Sequence, residues 1–295
     1  MQKVIYTSLS LQVLSALLAF AVGLAPACGA GFANPEPVRI EGYDDHAMEP
    51  FISRDGRILM FNNLNEPTVN TDLHWAERVT PVHFRYRGKI EGANTDVLEG
   101  VPSLDRDGNL YFVSLRSYRQ TLMSVYRAKF DNGRVSNVRP VEGLSRGQMG
   151  QINFDAEISA DGQHLYAVDG LFSGGQAPDS ADIFIARRVG DGFERLANSN
   201  EIMRHINTPT LEYAPAISED ELELFFTRLT GALFWRKLHI MHATRKRRDL
   251  PFEPPTAVAV ITGFVEAPTI SSDGRSLYFH KKVDRKHRIF RVTRQ

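Results

Sequence analysis

Apolar residues in this chain come in short runs broken by turn residues, and five of these runs share one pattern. The first is Glu49-Pro50-Phe51-Ile52-Ser53-Arg54-Asp55-Gly56, continuing through Ile58-Leu59-Met60-Phe61. The second is Pro102-Ser103-Leu104-Asp105-Arg106-Asp107-Gly108, then Leu110-Tyr111-Phe112. The third is Ala156-Glu157-Ile158-Ser159-Ala160-Asp161-Gly162, then Leu165-Tyr166. The fourth is Pro215-Ala216-Ile217-Ser218-Glu219-Asp220, then Leu224-Phe225-Phe226, with Glu221 in the place of the glycine. The fifth is Pro268-Thr269-Ile270-Ser271-Ser272-Asp273-Gly274, then Leu277-Tyr278-Phe279. The turn aspartates lie 52, 54, 59 and 53 residues apart. Each copy predicts a β-hairpin: a short strand, a tight Asp-Gly turn with glycine at positive φ, and an aromatic-rich strand.

A third strand-like run follows each of the first four hairpins. These are Leu73-His74-Trp75, Ser124–Ala128, Asp182–Ala186 and Lys237–Met241. A further small repeat, Ile90-Glu91-Gly92, Val141-Glu142-Gly143 and Ile261-Thr262-Gly263, marks the end of an outer strand. Four strands per period of about 50 residues is the blade pattern of a propeller. The expected fold is therefore all-β, a five-bladed β-propeller. The same small motif, Ile40-Glu41-Gly42, stands before the first hairpin, and the last blade lacks its own copy. Ring closure by an N-terminal outer strand at Val38–Glu41 follows from that count, and it would hide an edge that otherwise invites aggregation.

The consensus Pro-x-Ile-Ser-x-Asp-Gly-x-x-Leu-Tyr-Phe resembles the TolB-like, WD40-like β-propeller repeat. The resemblance covers essentially all of the chain after its first thirty-odd residues. It implies a propeller and says little about function, because propellers host many unrelated activities.

The N-terminal stretch changes the picture of location. Lys3 precedes an apolar run from Leu9 to Leu24, followed by Ala25-Pro26-Ala27-Cys28-Gly29-Ala30. That reads as a secretory signal peptide, with residues 1–33 as leader and 34–295 as one propeller domain. The run is short for a membrane span, which takes about 20 apolar residues. The mature protein is expected in the periplasm or outside the cell, as a monomer without a transmembrane anchor. Cys28 is the only cysteine, so thiol and disulfide chemistry are excluded once the leader is removed. Nucleic acid is not an expected partner there.

Charge is balanced overall but not along the chain. Residues 236–295 hold 14 Lys/Arg against 5 Asp/Glu, whereas residues 34–235 hold 20 against 30. The basic residues form two clusters, Arg245-Lys246-Arg247-Arg248 and Lys281, Lys282 and Lys286 with their arginine neighbours. Since both belong to the last two blades, they are expected to form one basic patch for an anionic glycan, a lipid surface or an acidic face of an envelope protein.

Propeller ligands sit at a mouth of the central channel, and an acid precedes every repeat there: Glu49, Glu99, Asp155, Glu212 and Glu266. One acid per blade suggests a structural role. Carboxylate pairs are also what glycoside hydrolysis needs, and Glu49, Asp155 and Glu212 are the candidates for it. The nine histidines show no metal-site spacing, so neither a metal nor another cofactor is expected. The reading is a non-catalytic exported binding or interaction protein of the cell envelope. The alternative is a glycan-active hydrolase or lyase using carboxylates at the channel mouth. Convergence of three carboxylates in one open pocket would favour the alternative; carboxylates bonded to backbone amides would favour the scaffold.

Overall fold

The computed structural model describes residues 31–66, 69–175, 177–231 and 235–295. The expected leader and Cys28 lie outside the described residues apart from residues 31–33. The chain is almost entirely β. It begins with β1 (Phe32–Pro37) and the short β2 (Arg39–Glu41), then β3 (Met48–Ile52), β4 (Ile58–Asn62), β5 (Leu73–Thr80) and β6 (His83–Lys89). Next come β7 (Glu99–Leu104), β8 (Asn109–Ser114), β9 (Val125–Asp131) and β10 (Arg134–Pro140). The third run is β11 (Gln151–Ile158), β12 (His164–Leu171), β13 (Ser180–Val189) and β14 (Gly192–Arg195). The fourth is β15 (Leu211–Ile217), β16 (Glu223–Thr230), β17 (Lys237–Thr244) and β18 (Thr256–Ala257), and the last is β19 (Val265–Ile270), β20 (Ser276–Val283) and β21 (Lys286–Arg294).

Consecutive strands within each run pair antiparallel, giving sheets β2-β6-β5-β4-β3, β10-β9-β8-β7 and β1-β21-β20-β19. The third and fourth runs share one eight-stranded sheet, joined only by a parallel contact between Ala181 and Leu211. No sheet closes on itself. The first strands of the five runs instead pack in a cycle: β3 on β7, β7 on β11, β11 on β15, β15 on β19, and β19 back on β3.

The burial pattern follows from this arrangement. β4 and β8 are covered on both faces by neighbouring sheets and are almost continuously apolar and buried. The outer β6 alternates buried and exposed positions. Strands enclosed on both sides lose the two-residue polar period that a half-exposed strand keeps. The core lies between sheets: Tyr111 packs with Ile158 and Leu165, Tyr166 with Ile217 and Phe226, and Phe225 with Ile270 and Phe279. Leu59 and Phe61 pack with Tyr278 and Ile289, which joins the last sheet to the first.

The five hairpin turns form as their residues dictate. Ser53 Oγ donates to Asp55 Oδ1 at 2.6 Å and accepts from the Ile58 N–H at 2.9 Å. In the second copy Asp105 replaces that serine, and its carboxylate accepts from the Asn109 N–H at 2.8 Å. Glu221 takes the glycine position of the fourth turn at φ 63°, close to the 69° of Gly162. A non-glycine residue there is strained, and a buried network holds it. The Glu221 carboxylate accepts from Tyr166 Oη at 2.9 Å and pairs with Arg248 at 3.1 Å. The Arg245 guanidinium lies against Tyr166 Oη at 2.6 Å.

The seam differs from expectation in its residues. An N-terminal strand does complete the last sheet, but it is β1, paired antiparallel with β21 from Phe32↔Arg294 to Pro37↔Phe290. Val38 continues the ladder only through its N–H, bonded to the Ile289 carbonyl at 2.8 Å. Arg39–Glu41 instead pairs in parallel with β6 of the first sheet. The expected strand at Val38–Glu41 is thus corrected to Phe32–Pro37. The folded unit also begins before residue 34, since Phe32 is buried against Phe225.

The small repeat explains the shift. Glu91, which follows β6, bonds in parallel to the next sheet: its N–H donates to the Gly133 carbonyl, and its carbonyl accepts from Val135 N–H, both at 2.8 Å. Glu142 accepts from the Phe193 N–H in the same manner. The motif is the stitch that carries the chain from one outer strand to the next sheet, and Ile40-Glu41-Gly42 is the stitch after β1.

Candidate functional site

Each first strand carries a bulge at its inner end, with register breaks between Met48 and Phe51, Gly100 and Ser103, Asn153 and Ala156, Tyr213 and Ala216, and Glu266 and Thr269. Bulges re-aim side chains, so position relative to the bulge decides what each acid does. Glu99 and Glu212 stand eight residues before their turn aspartates, Glu266 seven, and Glu49 and Asp155 six.

At the eighth position the acid turns back into its own sheet. Glu99 is fully buried and accepts from the Thr95 N–H at 2.6 Å, Thr95 Oγ1 at 2.8 Å and Ser114 Oγ at 2.6 Å, with Arg116 at 3.3 Å. Glu212 accepts from the Thr208 N–H at 2.9 Å, from the Thr208 and Thr210 hydroxyls at 2.7 Å each, and from Arg228 Nε at 2.8 Å. Both carboxylates are saturated and pin the loop entering the strand. Glu212 therefore leaves the set of catalytic candidates.

The other three acids meet at the axis. Glu49 sits at φ 49° on the bulge; its Oε1 accepts from Asn65 Nδ2 at 2.7 Å, and its Oε2 is shut off from solvent without a hydrogen-bond partner. Burial raises the Glu49 carboxyl above its ordinary range, and the nearby Glu266 adds to the rise, against opposing effects of His280 and Asn65. Burial also holds Asp155 well above its usual range, reinforced by Glu49 and Glu266. Burial would raise Glu266 too, but hydrogen bonds from His280 and Tyr213 outweigh it and hold this carboxylate below its ordinary value.

His280 links two of these acids. Its Nδ1 accepts the Glu49 backbone N–H at 3.0 Å, and its Nε2 faces Glu266 Oε2 at 3.3 Å. A ring nitrogen that accepts an N–H carries no proton, so Nε2 is the protonated nitrogen and donates to Glu266. The same position, seven residues after the turn aspartate, holds Asn62 and Thr227, which accept the bulge N–H groups of Val101 and Ala267 at 3.1 and 3.0 Å. In the third run it is the apolar Val168, and the Ala214 N–H goes to Asp155 Oδ2 at 3.1 Å instead. Asp155 thus has a structural duty that its counterpart Glu49 lacks.

Glu49 and Glu266 border a cavity of about 830 Å³ whose walls include Phe154, Phe172, Tyr213, Phe264 and His287. Burial lowers His287 to about 4, helped by His280, so this side chain is uncharged at neutral pH. The opposite end of the axis is crossed by ion pairs between Arg54 and Glu157, at 2.9 Å and almost wholly buried, and between Arg106 and Glu219.

The two basic clusters do not meet. Thr244 pairs with Glu223 at the hairpin-turn end of its sheet, so Arg245–Arg248 lie at that end. In the last sheet that end is Ser276 with Thr293, while Lys281, Lys282 and Lys286 lie at the other, where Val283 pairs with Lys286. Arg245 is buried, Arg247 pairs with Asp249 at 2.7 Å, Arg248 pairs with Glu221, and Lys246 is exposed. Lys281 lies over the Phe290 ring, Lys282 over Phe264, and Lys286 Nζ donates to the Asp44 carbonyl at 2.6 Å.

Sequence reasoning missed Asn65, Tyr213, His280 and His287. Only His280 had a legible signal, its alignment with Asn62 and Thr227. Among the described residues no group of three His, Cys, Asp or Glu side chains is placed to hold a metal.

No family model and no curated protein matches the chain. Solved structures do. A glycoside hydrolase aligns with a TM-score of 0.60 at 11% identity, over 90% of this chain and 92% of that one. A family 117 glycoside hydrolase produced by the marine bacterium Zobellia galactanivorans aligns at 0.54 and 12%, over 90% and 91%. A TolB from Agrobacterium tumefaciens aligns at 0.49 and 14%, over 90% and 83%, too weakly to carry an argument. At such identities the likeness establishes the fold class, a β-propeller, and nothing of the chemistry.

Proposed function

We propose that this chain is a glycan-active hydrolase built on a five-bladed propeller, with Glu49 as general acid and Glu266 as the ionised partner. The cyclic packing of the five first strands supports the blade count. One observation carries the function. Two carboxyl groups linked through His280 border one cavity, and their environments push them in opposite directions, Glu49 up and Glu266 down. Groups so divided are suited to acid and base roles in one reaction. Glu49 would protonate the departing glycosidic oxygen, while Glu266 would activate water or attack the anomeric carbon. The aromatic walls offer stacking faces for sugar rings, and the 830 Å³ volume accommodates an oligosaccharide end. Two of the structural neighbours that share the propeller fold are glycoside hydrolases.

Asp155 is assigned to holding the Ala214 N–H. The non-catalytic envelope-binding reading keeps one specific observation in its favour: Glu99, Glu212 and Asp155 are all engaged in holding the backbone. We propose a location in the periplasm or outside the cell, a reading that the apolar run from Leu9 to Leu24 supports.

The test is release of reducing ends from a panel of plant and algal oligosaccharides. Glu49→Gln and Glu266→Gln should each lower turnover by about 10² to 10⁴-fold at unchanged melting temperature. Activity should rise with pH as Glu266 ionises and fall as Glu49 loses its proton. A wild-type protein that cleaves no member of the panel would leave the binding reading in its place.

A further inference from the structure

We infer that the glycan this cavity takes carries an anionic substituent, a carboxylate or a sulfate ester, held by Arg236 and Lys237; the inference rests on the hydrolase reading above. Both residues line the cavity on the wall formed by the start of β17. Both are exposed, and among the described residues neither side chain donates a hydrogen bond or pairs with a carboxylate. Three arginines on the two sheets flanking this wall are already engaged, whereas Lys281 and Lys282 have only the Phe290 and Phe264 rings beneath them. Arg228 is bound to Glu212 and to the Ile206 carbonyl, Arg291 to Glu36, and Arg294 to Glu223.

Of the three acids that line the cavity, Glu66 is exposed, and none forms an ion pair with Arg236 or Lys237 among the described residues. Glu266 is engaged by Tyr213 and His280, and Glu49 by Asn65. Uncompensated cations on the wall of a concave site focus the field there and attract anions. An arginine fork suits a carboxylate or sulfate through paired N–H donors. The axis itself repels an anion, because Glu266 is held ionised. The substrate's charge must therefore face the β17 wall while its neutral ring lies over Glu49 and Glu266. Lys237 and His239, two residues apart on β17, share a strand face and extend the wall inward.

The experiment is titration calorimetry on the full protein carrying Glu49→Gln to block turnover. The probes are trigalacturonate, its neutral methyl ester, a sulfated galactan tetrasaccharide and neutral arabinotriose. At least one anionic sugar should bind about tenfold or more tightly than the neutral ones, as expected for a charge-assisted contact. The double variant Arg236→Gln/Lys237→Gln should erase that preference, leaving binding of the neutral sugars and the melting temperature unchanged. Preference for trigalacturonate over its ester assigns a carboxylate; preference for the galactan assigns a sulfate. Equal binding of neutral and anionic sugars, or a preference that survives the double substitution, overturns the anionic substrate and spares the hydrolase reading. Failure of every sugar to bind overturns both.

Discussion

Phe32→Ala probes the seam where the two ends of the chain meet. Phe32 is 5% exposed. Its ring meets Phe225 edge-on at 5.8 Å, and the Arg294 guanidinium lies over it at 4.9 Å. Truncating a buried Phe to Ala costs about 3–5 kcal/mol through lost transfer energy and the cavity left behind. The lower figure suits a terminal edge strand, where the cavity collapses more readily. For a domain of this size each kcal/mol moves the melting temperature by roughly 2–4 °C, so a fall on the order of 6–12 °C is expected. Removing all residues before Val38 should do more, because it also strips β21 of its partner from Arg294 to Phe290. An unpaired β21 offers an open edge, and the truncated protein should self-associate. Differential scanning calorimetry and light scattering on a size-exclusion column read the two effects. A protein starting at Val38 that melts with the longer form and stays monomeric would refute closure by β1.

Two further outcomes follow from the buried charges. Glu221→Gly relieves a positive φ worth about 1–3 kcal/mol but strands the buried Arg245 beside Tyr166, a loss of about 3–5 kcal/mol; chemical denaturation should show net destabilisation, and a stabilised variant would count against the network. Burial lowers His74 to about 4 from an ordinary 6.5. Its contribution is therefore complete above pH 6.5 and lost as the pH falls toward 4, because the unfolded chain takes up the proton first. In His74→Phe the stability profile across that window should flatten, short of the similar share that His287 contributes; an unchanged slope would show that His74 does not titrate there.

The repeat made most of the fold legible. Five Asp-bearing turns and the runs after them specify hairpins locally, through turn chemistry and β-branched or aromatic residues that need no distant partner. Even the odd turn at Glu221 was visible as a departure from the pattern. Phe32–Pro37 was not legible, since Asn34, Pro35 and Pro37 deny it a strand pattern, and only pairing with β21 makes it one. The row of acids was equally visible in the sequence, but its division was not. Shifts of one or two residues around a bulge send Glu99 and Glu212 into their own loops and bring Glu49, Asp155 and Glu266 to the axis. The two basic clusters looked like one patch because their sheets are neighbours, and strand direction sets them at opposite ends. Local propensity thus determined the five hairpins and their turns. Only the tertiary structure decided which acids meet, since opposite shifts at Glu49 and Glu266 arise from burial and from partners such as His280, which lies 231 residues from Glu49 along the chain.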